Sequence, residues 1–164
     1  MGIESPARER FQGCIVGQAL GDALGFVVEG QPAAVCRRYV EKLRPDRFGG
    51  LGRGPFPPGQ YSDDTQLQSY AAREEFDPAD YAGRIAAIFS EGRIVGRGRA
   101  TEEAAGRLAA GVPWHEAGTP PPSAGNGSAM RAGPIGLLFH DDEEGLARAA
   151  VEQGIITHRD SRCS

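Results

Sequence analysis

Lysine, cysteine and unbroken apolar sequence are all scarce in this chain, and each shortage closes off a class of function. Of its 18 basic residues only Lys42 is a lysine, and it lies in a polar neighbourhood, so Schiff-base chemistry is not expected. Three cysteines, Cys14, Cys36 and Cys163, are few and odd in number. They suit reduced thiols in a cytoplasm rather than a disulfide framework. Cys14, inside an apolar helical run, reads as a small core residue. No stretch approaches the roughly 18 consecutive apolar residues of a membrane span, so no transmembrane helix is expected. The polar start MGIESPARER lacks an apolar segment behind it, and no signal peptide is expected. A net charge of −4 and a pI near 5.4 argue against a general binder of nucleic acid or of membrane surfaces.

Glycine and small apolar residues are plentiful, and their spacing predicts helices. The 164 residues make one domain that buries roughly two-thirds of its unfolded surface. Pro6 to about Leu24 reads as a helix, with Ser5 as cap and Pro6 in the first turn. Gly13, Gly17, Gly21 and Gly25 form a stripe along it. Each costs up to about 1 kcal/mol relative to alanine, so the stripe serves tight helix packing or the close approach of a ligand. Residues 45 to 60, PDRFGGLGRGPFPPGQ, are too rich in glycine and proline for a regular element and read as a functional loop. Further helices are expected from Asp63 to about Glu75, from Pro78 or Asp80 to about Ser90, over 101 to 110 with Thr101 at the start and Gly111 at the stop, and from Asp141–Glu144 to about Gln153. A second proline-rich connection occupies 118 to 125. With no internal repeat and no alternating strand pattern, the fold class is all-α.

Four short stretches carry chemistry. YSDDTQL, from Tyr61, sets Asp63 and Asp64 side by side between Ser62 and Thr65 at the start of a helix. Two readings remain open. Ser62 or Asp63 caps the first turn, or carboxylate and hydroxyl oxygens converge on a hard cation such as Mg²⁺ or Mn²⁺. GNGSAMR, from Gly125, exposes backbone N–H groups before an apolar segment and suits an anion, although any capping loop looks similar. Pro134 in that segment implies a kink or a late helix start. His158, in THRD, is either a satisfied histidine or a site group. Glu29, just past the glycine-striped helix, is a surface carboxylate or one turned back toward the same site.

In order and wording, GCIVGQALGDALGFVVEG, YSDDTQL, GNGSAMRAGPIGLLF and ITHRD resemble the ADP-ribosylglycohydrolase family, from about residue 11 to the last residue. The resemblance implies an all-α fold with two Mg²⁺ or Mn²⁺ ions in a central cleft. It also implies hydrolysis of the glycosidic bond at the anomeric carbon of ADP-ribose attached to protein side chains, or of related conjugates. On it, Ser62, Asp63 and Asp64 match the metal-ligand motif, and Glu29 matches a glutamate near the metals on a mobile loop. Asn126, Gly127 and Ser128 fall in the segment lining the ADP-ribose site, and His158 matches a histidine that contacts the ribose. Paired hard cations orient ribose hydroxyls and acidify a nucleophilic water, and a nearby carboxylate moves the proton. Asp63, Asp64 and Glu29 are the catalytic candidates, with acid and base unassigned among them.

One departure from the family pattern stands out. Its second metal motif, an Asp-x-Asp followed by Thr or Ser toward the C-terminus, has no counterpart here, because Asp141 and Asp142 are adjacent. Residues 1 to 164 are therefore expected to be the N-terminal portion of a glycohydrolase domain, truncated at the C-terminus. The partners expected are ADP-ribose or an ADP-ribosylated protein, with a missing C-terminal half or self-association, and neither nucleic acid nor membrane. The alternative is a non-catalytic remnant that at most binds ADP-ribose or a divalent metal.

Overall fold

The computed structural model describes residues 8–43, 52–71 and 75–163. Eight α-helices are seen among them: α1 (Arg8–Gly25), α2 (Ala33–Lys42), α3 (Asp63–Ala71), α4 (Pro78–Ser90), α5 (Arg99–Ala109), α6 (Trp114–Ala117), α7 (Gly133–Leu138) and α8 (Glu143–Ile155). Short 3-10 turns occupy Phe26–Val28 and Ala129–Arg131. The described residues contain no strand, only two isolated bridges, and the fold is all-α.

The core forms where α3, α4, α5, α7 and α8 meet. Helix α4 contributes Tyr81, Ala82, Ile85 and Ile88, which recur at helical spacing and so share one face. Leu67 of α3, Ala105 of α5, Ile135 of α7 and Ala149 of α8 close around that face, with Ile94 and Ile156 from the connections. The buried hydroxyl of Tyr81 donates to the Leu67 carbonyl (3.2 Å), satisfying the one polar atom on that ring.

Local chemistry explains the helix boundaries. Asp77 caps α4 by accepting from the backbone N–H groups of Ala79 and Asp80, with Pro78 in the first turn. Asp142 likewise accepts from Gly145 at the start of α8. Pro134 lies in the first turn of α7, so the apolar segment starts its helix late, as one of the two expectations held. Helix α5 starts earlier than Thr101 because Gly98 takes the extended N-cap conformation, which leaves Thr101 buried inside the first turn. Gly111, at φ +85°, follows the end of this helix. Helix α2 was not anticipated. It buries no residue fully, although Val35, Cys36, Tyr39 and Val40 recur at helical spacing along one side. The expected caps Ser5 and Pro6 and the end of α3 beyond Ala71 lie outside the described residues.

Helix α1 departs most from expectation. None of its residues is buried, Val16 and Leu20 are 64% and 50% exposed, and no atom comes within 4 Å of a Cβ built on Gly13, Gly17, Gly21 or Gly25. Cys14 is only half-buried, beside Gly133. The glycine stripe thus packs against nothing among the described residues. Arg8–Val28 is also long and apolar enough by composition to cross a membrane, which a search for unbroken apolar runs overlooks because glycines and a few polar residues interrupt the run. Helix α1 is nevertheless tied to the rest of the chain. Gln18 Nε2 donates to the Met130 carbonyl, and Tyr39 Oη donates to the Leu24 carbonyl (2.8 Å).

The last described turn is held by Asp160. Its carboxylate accepts from Arg162 Nε (2.9 Å), Arg162 N (3.1 Å) and Ser123 N (3.0 Å). These bonds, those of the Arg162 side chain above all, keep the carboxyl well below the usual carboxylate range. As pH falls, the unfolded chain takes up this proton first. The stabilisation is therefore complete above about pH 4 and declines below it, toward the depressed native value. Thermal unfolding of Asp160→Asn against the parent chain should show a gap in midpoint that is constant near neutrality and narrows steadily below that point. A gap independent of pH would contradict this account.

Candidate active site

The site begins with a helix start capped from outside its own segment. Asp22, on α1, accepts from Ser62 N (2.8 Å), Ser62 Oγ (2.7 Å), Thr65 N (3.1 Å) and Thr65 Oγ1 (2.6 Å). It satisfies the Thr65 N–H of the first turn of α3 and the Ser62 N–H just before it, and lies at the positive end of that helix. Neither Ser62 nor Asp63 is therefore the main cap, although Ser62 Oγ also stands 3.4 Å from Asp64 N. Because Asp22 takes that duty, the carboxylates of Asp63 and Asp64 are free to face a cleft.

That cleft, about 390 Å³, is lined by Asp63 and Asp64 together with Glu29, Arg53, Arg97 and Asn126. Gln66 of α3 fixes one wall by donating to the Arg93 carbonyl (2.9 Å) and accepting from Val95 N (2.8 Å). The chain then passes Asp63 at Gly96, whose φ is +75°. A Cβ there would lie 2.7 Å from Asp63 Oδ1, so glycine is needed both for the backbone and for the approach. On the opposite wall Glu29 pairs with Arg53 (3.1 Å). The Arg53 guanidinium lies 4.6 Å over the Phe26 ring, which meets Phe56 edge to face.

The charge in the cleft is one-sided where the aspartates meet. Among the described residues, neither Asp63 nor Asp64 forms an ion pair. Burial, with Asp64, Glu29 and Asp22 nearby, pushes the Asp63 carboxyl up to about 7 against the opposing effect of its own backbone N–H. Burial, then Asp22 and Glu29, raises that of Asp64. These are hard oxygen donors crowded together, with no ion-paired cation among the described residues, the chemistry that Mg²⁺ or Mn²⁺ fits. In number they fall short of a full shell. Among the described residues no group of three or more His, Cys, Asp or Glu side chains is placed to hold an ion by itself.

A smaller adjoining cleft of about 170 Å³ brings His158, Gly127 and Asn126 to the other side of Asp63. The backbone of His158 is fixed by its bond to the Gly154 carbonyl (2.9 Å) and by flanking bonds between Thr119 and its neighbours, Thr119 N to the Thr157 carbonyl and Arg159 N to the Thr119 carbonyl, each 2.9 Å. A Cβ at Gly127 would lie 2.5 Å from His158 Cε1. Ser62 lines a third cleft with Asp22, Asp64 and Asn126. Ser128 lines none of the three: it is buried, and its hydroxyl donates to the Cys163 carbonyl. The structure thus gathers Glu29, Ser62, Asp63, Asp64, Asn126, Gly127 and His158 around one locus and turns Ser128 away from it. Asp22, Gly96, Arg97 and Arg53 escaped the sequence reading. A lone acid in an apolar helix and the alternating VGRGR were the available signals.

The family profile described as ADP-ribosylglycohydrolase matches residues 4–164. The chain belongs to the ADP-ribosylglycohydrolase family. An uncharacterized protein of Archaeoglobus fulgidus is 33% identical, over 92% of this chain and 50% of its own length. ADP-ribosylhydrolase ARH3 of Gallus gallus is 33% identical, over 95% and 47%. ADP-ribosylarginine hydrolase Tri1 of Pseudomonas putida is 30% identical, over 93% and 42%. The chain spans about half the length of the curated relatives it matches. Like the family to which it belongs, it is built of helices, and its clefts lie at the YSDDTQL and GNGSAMR segments.

Proposed function

We infer that this chain supplies one side of the active site of a hydrolase that cleaves the glycosidic bond of ADP-ribose conjugates, such as ADP-ribosylated protein side chains. The observation that carries this reading is the meeting of Asp63, Asp64 and Glu29 with Asn126, Gly127 and His158 at adjoining clefts, in a chain of this family. Ser62, Asp63 and Asp64 are the residues that would hold Mg²⁺ or Mn²⁺. Such an ion, when bound, acidifies a water and orients ribose hydroxyls. The chain's own residues do the rest. Asp63, Asp64 and Glu29 are the groups available to hold or move a proton, Asn126 and Gly127 border the ligand, and His158 faces it. The three free cysteines suit a reducing compartment, and we take the cytoplasm as the location.

A second reading draws on the lack of a three-residue metal cluster among the described residues. On that reading the chain binds ADP-ribose or a divalent ion without turning over. Calorimetric titration with ADP-ribose, with and without Mn²⁺, tests the assignment when run beside an Asp63→Ala/Asp64→Ala double variant. Metal-dependent binding that the double variant loses is the expected result, and a folded chain that binds in no condition overturns the assignment. A turnover assay is a one-sided test of the second reading. Little or no hydrolysis by the 164-residue chain is expected, since a two-ion clamp needs more ligands than these. Robust Mg²⁺-dependent turnover would eliminate the second reading.

A further inference from the structure

His158 is held from behind by a buried chain of polar groups. Arg131, fully buried, donates from Nε to Gln153 Oε1 (2.8 Å) and from Nη2 to the Gln153 carbonyl (2.7 Å) and the Thr157 hydroxyl (2.8 Å). Thr157, also fully buried, places Oγ1 2.8 Å from His158 Nδ1. A guanidinium has donors only, so Thr157 Oγ1 accepts from Arg131 and its own proton needs an acceptor. Among the described residues the only acceptor bonded to that hydroxyl is His158 Nδ1. A buried hydroxyl proton left unpaired is costly, so Nδ1 accepts and the ring proton sits on Nε2. Burial, then the positive charge of Arg131, also lowers the imidazole pKa, which keeps a second proton off.

On the far side of the ring the backbone has been cleared. A Cβ at Gly125 would lie 3.2 Å from Nε2 and one at Gly127 3.1 Å from it. Nε2 has no hydrogen-bond partner among the described residues, and the ring borders the cleft that Asp63 and Asn126 also line. We propose that Arg131 and Thr157 are positioning residues that hold His158 as the Nε2–H tautomer, a fixed hydrogen-bond donor to an acceptor oxygen of the ligand. In this state the ring has no free lone pair with which to accept a substrate proton, and proton transfer falls to the carboxylates. The identity of that oxygen, on a ribose or a phosphate, rests on the functional reading above. The tautomer does not.

The test is ¹⁵N NMR of the histidine-labelled 164-residue chain at neutral pH, with the three histidines assigned through His158→Gln. The expected spectrum shows an unprotonated Nδ1 and a protonated Nε2 for His158. Thr157→Val, close in shape, should mix the tautomers and weaken ADP-ribose binding in the presence of Mn²⁺ by about tenfold, the effect of one lost hydrogen bond. Thr157→Ser should restore both. A proton on Nδ1 in the parent chain overturns the proposal, and so does an unchanged tautomer in Thr157→Val. The tautomer is read without ligand, so a parent chain with protonated Nε2 that binds no ADP-ribose overturns the functional reading and leaves the positioning role standing.

Discussion

Asp63→Asn is expected to raise the thermal midpoint of the metal-free protein while abolishing any metal-dependent binding of ADP-ribose. Asp63 stands at the start of α3 with Asp64, Glu29 and Asp22 as electrostatic neighbours, and it forms no ion pair among the described residues. Asparagine keeps the shape and the hydrogen-bonding oxygen but removes the partly buried charge. The gain is about 1–2 kcal/mol after discounting for solvent screening, or about 2–5 °C in midpoint for a chain of this size. The measurement is calorimetric unfolding at pH 8 in a chelating buffer, followed by titration with Mn²⁺ and ADP-ribose. A stabilised variant that no longer responds to the ion marks a residue kept for function at a cost in stability. A variant that melts lower in the chelating buffer would instead make Asp63 a structural residue and remove the electrostatic argument.

Arg131→Met should have the largest effect on stability, in the opposite direction. The substitution removes a buried charge, which by itself is favourable, because Nη1 has no partner among the described residues and burial already lowers the guanidinium pKa. It also strips three acceptors at once: Gln153 Oε1, the Gln153 carbonyl and the Thr157 hydroxyl. The Thr157 hydroxyl keeps its bond to His158 Nδ1, but each Gln153 oxygen left without this donor costs about 1–3 kcal/mol, which outweighs the gain, and the contact of the guanidinium with the Tyr81 ring is lost as well. A net loss of about 3–5 kcal/mol is expected, read as a lower denaturant midpoint with an unchanged slope. Arg131→Lys should fall well short of rescue, because an ammonium cannot reach these acceptors with the same planar fork. Parent-like stability in Arg131→Met would show that the guanidinium is not the hub of this corner.

The two predictions draw on different kinds of information. YSDDTQL announced an unusual pair of carboxylates from its own residues, but not which group would relieve the helix start of its capping need. That group is Asp22, 40 residues before Ser62, and no local pattern connects the two. Arg131 is the last residue of the GNGSAMR loop, yet its bonds run to Gln153 and Thr157, more than 20 residues away in sequence. Ser128 shows the reverse. Its place in the motif pointed to the ligand, and packing turned its hydroxyl to the Cys163 carbonyl.

Helical periodicity and punctuation by proline and glycine are local properties, so the class, the start of α4 at Pro78, one of two starts expected, and the late start of α7, one of two outcomes expected, could be read from the chain itself. The residues that gather at the cleft were legible only in part: by type, Ser62, Asp63 and Asp64 suited either a cap or a hard cation, and the family resemblance supplied the roles of Glu29, Asn126, Gly127 and His158. Helix α2 was legible too, since Val35, Cys36, Tyr39 and Val40 share one side, but it was not anticipated. The glycine stripe of α1 was legible as a pattern but not in its consequence, since packing or exposure depends on what else is present to cover it. Which carboxylate caps and which faces the cleft, which hydroxyl orients His158, and which arginine is buried are decided only when distant segments meet. Hydrogen bonds and desolvation act through space over a few ångströms, whatever the separation along the chain.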